Sequence, residues 1–167
     1  MFQKLSLSLE NLDYLKLKGT ITFSLPLFKE YRIKDFNYLN ETLYQKVKFT
    51  SEPSANITEI LYPGASPHID TWLTAINFYF DIGDDETFFW KEIKPTSSKE
   101  KRLTMYNKDN LYEVGSFKAN KGDCYLMNVG QCIHSVKMNS PNTTRKILRI
   151  FWFDRSFDQV LNDLKTL

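Results

Sequence analysis

Between about residue 56 and residue 153 the chain is a close succession of short β-prone runs, each cut off by turn residues. Asn56 to Tyr62 stops at Pro63-Gly64, and Leu73 to Phe80 ends at Gly83-Asp84-Asp85. Thr87 to Trp90 opens the next run, followed by Leu111 to Lys118, Cys124 to Asn128, Cys132 to Lys137 and Lys146 to Phe153. Lys121-Gly122-Asp123 and Asn139-Ser140-Pro141-Asn142 supply further turns. Strands this short and this closely spaced belong to one β-rich domain. They predict a mainly β domain, a barrel or jelly roll.

The flanks have different periods. Residues 3–24 carry alternating runs, Leu5-Ser6-Leu7-Ser8-Leu9 and Thr20-Ile21-Thr22-Phe23, which predict edge strands or a strand pair. From Asp35 onward Phe36, Leu39, Leu43 and Val47 form one apolar stripe, the mark of a helix packed on a sheet. At the other end Ser156-x-x-Gln159 is a capping box, with Phe157, Val160, Leu161 and Leu164 following at helical spacing. Residues 94–103 read as a polar loop, including the small basic cluster Lys99-Glu100-Lys101-Arg102. With no repeat and no linker, residues 1–167 are expected to form a single domain with supporting helices near both termini.

Thirteen Phe, nine Tyr and three Trp rule out a disordered chain. A net charge of +2 calls for neither nucleic acid nor a membrane surface as partner. Cys124 and Cys132 are too few for a disulfide scaffold. No basic-then-apolar leader opens the sequence, and no apolar run reaches the roughly 18 to 20 residues that span a bilayer. The expectation is a soluble, cytoplasmic protein.

There are two histidines. His68 stands two residues before Asp70, so on a strand both side chains leave the same face. His134 lies in a later strand-like run and can close a 2-His-1-carboxylate set with them, the donor set of a mononuclear iron(II) site with open positions. Cys132, two residues before His134, would share its face and keeps a zinc site open. Taken alone His-x-Asp is a weak signal, and an ordinary hydrogen-bonded histidine would explain each position as well. Arg145 and Arg149, four apart on a predicted strand, share a face and offer planar forks for a carboxylate; strand-edge charges are the plain alternative.

The order Tyr62-Pro63-Gly64, His68-x-Asp70, Asn77-Phe78-Tyr79-Phe80, Glu86-Thr87-x-Phe89, Lys121-Gly122-Asp123, His134, Arg145 and Phe151-Trp152-Phe153-Asp154 resembles the 2-oxoglutarate and iron(II)-dependent oxygenases, nearest their prolyl-hydroxylase-like branch. The resemblance covers roughly residues 56–154. It implies a double-stranded β-helix, the cupin-like jelly roll, with Fe(II) held by His68, Asp70 and His134. It further implies that Arg145 pairs with the distal carboxylate of the cosubstrate 2-oxoglutarate, while Tyr62 and Tyr79 line the cosubstrate pocket. Tyr79 reads equally well as aromatic core. The implied reaction uses dioxygen and hydroxylates a small-molecule or peptidyl substrate. Asp84-Asp85 replaces the family's usual glycine pair, and the loops after Tyr62 and Asp70 are short, so peptidyl proline is not implied. Neutral histidines are needed as ligands, which places the expected acid limit of activity near pH 6. The competing expectations are a non-catalytic jelly-roll binding or structural protein and, ranked low for want of a continuous basic stripe, a nucleic-acid demethylase.

Overall fold

The computed structural model describes residues 1–7, 12–44, 52–94 and 104–165. In chain order these form β1 (Phe2–Leu5), α1 (Tyr14–Leu17), β2 (Lys18–Leu25), β3 (Phe28–Ile33) and α2 (Phe36–Leu39), which runs on as a π-turn over Asn40–Tyr44. Then come β4 (Ser54–Leu61), β5 (Gly64–Ile69), β6 (Thr74–Asp81), β7 (Asp85–Glu92) and the two-residue β8 (Thr104–Met105). A 3₁₀ turn at Lys108–Asn110 leads to β9 (Leu111–Phe117), β10 (Cys124–Met127), β11 (Ile133–Met138), β12 (Thr144–Trp152) and α3 (Phe157–Lys165).

The strands form two antiparallel sheets, β1-β10-β6-β12-β4-β3-β2 and β8-β5-β11-β7-β9. Their pairings nest: β4 with β12, β5 with β11, β6 with β10 and β7 with β9. First-with-last nesting of eight strands, shared between two facing sheets, is the jelly-roll arrangement. The two N-terminal strands do not pair with each other. They are edge strands at opposite ends of the same sheet.

Side-chain alternation explains why the larger sheet carries two cores. On β12, Ile147 and Phe151 point between the sheets, joining Ile60, Tyr79 and Met127 with Phe89, Phe117, Val136 and Met138 of the facing sheet. Leu148, Ile150 and Trp152 point the other way, against Leu17 of α1, Leu39 of α2 and Val160 of α3. A sheet buried on both faces needs apolar residues at successive positions, which accounts for the unbroken run Ile147–Trp152 apart from Arg149. Each N-terminal helix is a single turn capped by an aspartate, Asp13 on Leu15 and Asp35 on Tyr38. The capping box holds as read: the Gln159 side chain accepts from the Ser156 amide, and the Ser156 hydroxyl accepts from the Gln159 amide.

Some expectations change. The helix after Asp35 is a four-residue turn before the π-turn, and Val47 of its expected stripe lies outside the described residues. Ser8, Leu9 and residues 95–103 of the polar loop also lie outside them. Strand β3 and the one-turn α1 were not anticipated. Among the described residues no helix is long and apolar enough to cross a membrane.

Candidate metal centre

Gly64 starts the strand that carries the first ligand. Its φ of +112° is open to glycine and strained for other residues, and a Cβ there would stand 2.1 Å from the Val136 carbonyl oxygen. That close approach locks β5 against β11, and the register places His68 opposite His134. The ladder shifts between His134 and Val136, a bulge beside the site of the kind that re-aims a side chain. Asp70 lies one residue beyond β5, where its amide donates to the Val129 carbonyl at 3.0 Å.

The three side chains converge. His68 Nε2 lies 3.4 Å from Asp70 Oδ1, and His134 Nε2 lies 3.6 Å from Asp70 Oδ2. One ligand atom from each lies within 4.8 Å of the others, and the imidazole centroids are 4.3 Å apart. Both rings are oriented by the backbone: His68 Nδ1 is 2.7 Å from the Ser66 carbonyl and His134 Nδ1 is 3.1 Å from the Cys132 carbonyl. A carbonyl can only accept, so each neutral ring carries its proton on Nδ1 and turns an Nε2 lone pair toward Asp70. Asp70 Oδ2 is buried and has no hydrogen-bond partner among the described residues. Three electron-pair donors thus face one another with no proton between them, an arrangement that a divalent cation stabilises.

Electrostatics favour the ligand forms. Burial raises the Asp70 carboxyl, but at the acid pH where it titrates the protonated His68 and His134, with Arg149, outweigh burial and hold Asp70 down at about 2. Burial and the adjacent His68 push His134 down to about 4 against the pull of Asp70. This ligand therefore stays neutral well below the pH 6 expected of an ordinary imidazole. Cys132, left open as a zinc ligand, contributes its carbonyl to His134 and is not among the three converging donors.

Arg145 and Arg149 both turn inward, as their spacing requires, and both are buried. Arg145 Nη2 donates to the Tyr79 and Thr87 hydroxyls, each at 2.8 Å, and the guanidinium lies 4.7 Å from the Tyr79 ring centroid. Its Nη1 is 3.2 Å from Asp85 Oδ2. Arg149 donates to the Asn77 side-chain oxygen at 3.3 Å, lies 5.2 Å from the Trp72 ring and faces Glu30 at 4.0 Å. Tyr62 sits in the turn after β4, 45% exposed, and the hydrogen bonds of Arg145 go to Tyr79 and Thr87 instead. The sequence reading missed Thr87, Asp85, Asn77 and Glu30. Asn77 and Thr87 stood within the motifs of the resemblance without a role, Asp85 was half of the pair that displaces the family's glycines, and Glu30 left no trace.

No family model matches the sequence, and no curated protein matches it. Solved structures are similar at low identity. Vicilin from hazelnut (Corylus avellana) aligns over 83% of this chain and 32% of its own, with 11% identity and a TM-score of 0.47. E. coli YcfD aligns over 74% and 31%, with 10% identity and a TM-score of 0.49. Oxalate decarboxylase from Lactobacillus farciminis, in a formate complex, aligns over 80% and 30%, with 14% identity and a TM-score of 0.42. The chain spans about a third of the length of these structures.

Proposed function

We propose that this chain is an iron(II)-dependent dioxygenase, most simply a hydroxylase, with 2-oxoglutarate as cosubstrate. The observation that carries the reading is the convergence of His68, Asp70 and His134, with both Nε2 lone pairs and an unpartnered carboxylate oxygen turned to one point. Two imidazoles and one carboxylate suit iron(II) and leave positions for other ligands. Iron bound there with 2-oxoglutarate would supply oxidative decarboxylation coupled to oxygen transfer onto the substrate.

The chain's own part is to bind and to exclude water. Ser66 and Cys132 fix the ring planes through their carbonyls. Tyr79 and Thr87 fix the Arg145 fork as the cationic end of the interior, and Phe89, fully buried beside His134, keeps that interior apolar. Low polarity strengthens every charge contact made inside it. The donor set of two imidazoles and one carboxylate supports iron(II) as the metal. A dicarboxylate meets Arg145 with Asp85 already beside it, and that observation favours the second reading, a non-catalytic jelly-roll binding module.

The two readings part in one assay. Protein supplied with iron(II), 2-oxoglutarate and dioxygen should form succinate, and His68→Ala should form none. Equal succinate from both proteins, or none from either, contradicts the enzyme.

A further inference from the structure

We infer that Asp85 is a built-in occupant of the cationic end of the site and that it makes a second carboxylate on the cosubstrate dispensable. The inference rests on the reading above that Arg145 faces the cosubstrate's far end. Of the two successive aspartates, Asp84 just before β7 is exposed and pairs with Lys118 at 3.7 Å, whereas the side chain of Asp85, the first residue of β7, is fully enclosed. Asp85 pairs in register with Met138 of β11, two positions along β7 from Thr87, so both point at Arg145 from the same face. Among the described residues neither Asp85 oxygen has a hydrogen-bond partner, and the guanidinium 3.2 Å away is the counter-charge of this buried carboxylate.

Charge counting then sets the specificity. Arg145 and Asp85 together are neutral. A cosubstrate with an uncharged tail keeps them so, while a distal carboxylate would put two anions on one buried guanidinium. Among the described residues Arg145 Nε has no hydrogen-bond partner, which leaves that donor for a neutral oxygen. The class this end accepts is therefore a 2-oxo acid chelated at one end, whose tail carries no advantage from a second negative charge.

The test titrates 2-oxoglutarate and 2-oxopentanoate, by calorimetry without oxygen, into iron(II)-loaded wild type and Asp85→Asn. The wild type should bind the two acids within about threefold of each other. Asp85→Asn, which keeps the volume and removes the charge, should favour 2-oxoglutarate at least tenfold. A wild type that already prefers 2-oxoglutarate tenfold overturns the inference, and this arm needs no variant to fold. An unchanged ratio in Asp85→Asn, with both acids bound, overturns the role of Asp85 and leaves the oxygenase reading intact. Failure of the wild type to hold iron, or of both proteins to bind either acid, sinks the oxygenase reading and this inference with it.

Discussion

Arg145 and Asp85 are a buried ion pair, and at such pairs the cost of losing one partner exceeds the worth of the pair. Arg145→Met leaves the Asp85 carboxylate enclosed with no counter-charge, so it should cost about 3–5 kcal/mol in denaturant unfolding. Adding Asp85→Leu removes the stranded charge and should recover most of that loss. If the double variant is as unstable as the single, the two side chains are not coupled as described. At the triad the effect of mutation differs, because His68 and His134 face a carboxylate and each other rather than holding the core. His68→Ala should remove metal binding while leaving the metal-free melting temperature within a few degrees of wild type. An undiminished metal affinity in that variant would remove His68 from the ligand set.

Strand registry carries the site at the scale of elements. Gly64 sits where β5 begins, and the carbonyl it approaches belongs to Val136, two residues from His134. Gly64→Ala should cost more than about 2 kcal/mol, from strain at positive φ and from the clash. It should also weaken metal binding, since β11 must move. A variant that loses stability but keeps full metal affinity would show that His134 does not depend on this registry. In the larger sheet, Glu59 of β4 accepts hydrogen bonds from Tyr14 of α1, from Lys18 of β2 at 2.5 Å and from Tyr31 of β3 at 2.8 Å. Burial raises the Glu59 carboxyl, but these donors outweigh it and leave it below its ordinary 4.5. A depressed carboxyl stabilises the fold above its unfolded value, and that contribution is lost as pH falls through the lower folded value. Stability measured from pH 6 down to pH 3 should therefore drop, and Glu59→Gln should flatten the drop; an identical slope in the variant would mean that Glu59 is not held by its donors.

For the molecule as a whole, the β-rich architecture is written locally and the contents of its interior are not. Gly83-Asp84-Asp85 and Lys121-Gly122-Asp123 mark chain reversals by their own turn chemistry, so the strand succession and the jelly roll were legible. The triad was legible because the chain has two histidines, one of them two residues from an aspartate. Strand β3 was hidden because Phe28-Lys29-Glu30-Tyr31-Arg32-Ile33 places charge on both faces, and Glu30 finds its reason in Arg149 across the sheet. The partners of Arg145 were hidden for the same cause: Tyr79 comes from β6, paired beside β12, while Thr87 and Asp85 come from β7 of the facing sheet, and only the folded sheets bring them together. Tyr62 shows the converse, since resemblance placed it in a pocket and the turn after β4 leaves it half exposed.

Thermal unfolding without oxygen tests whether His68, Asp70 and His134 together hold one iron(II), as proposed above. A ligand that binds only the folded state adds about 2.7 kcal/mol at a hundred times its dissociation constant. Iron(II) at that excess should raise the wild-type melting temperature by several degrees and leave Asp70→Ala and His134→Ala unmoved. An equal rise in all three proteins, or none in the wild type, would contradict the site.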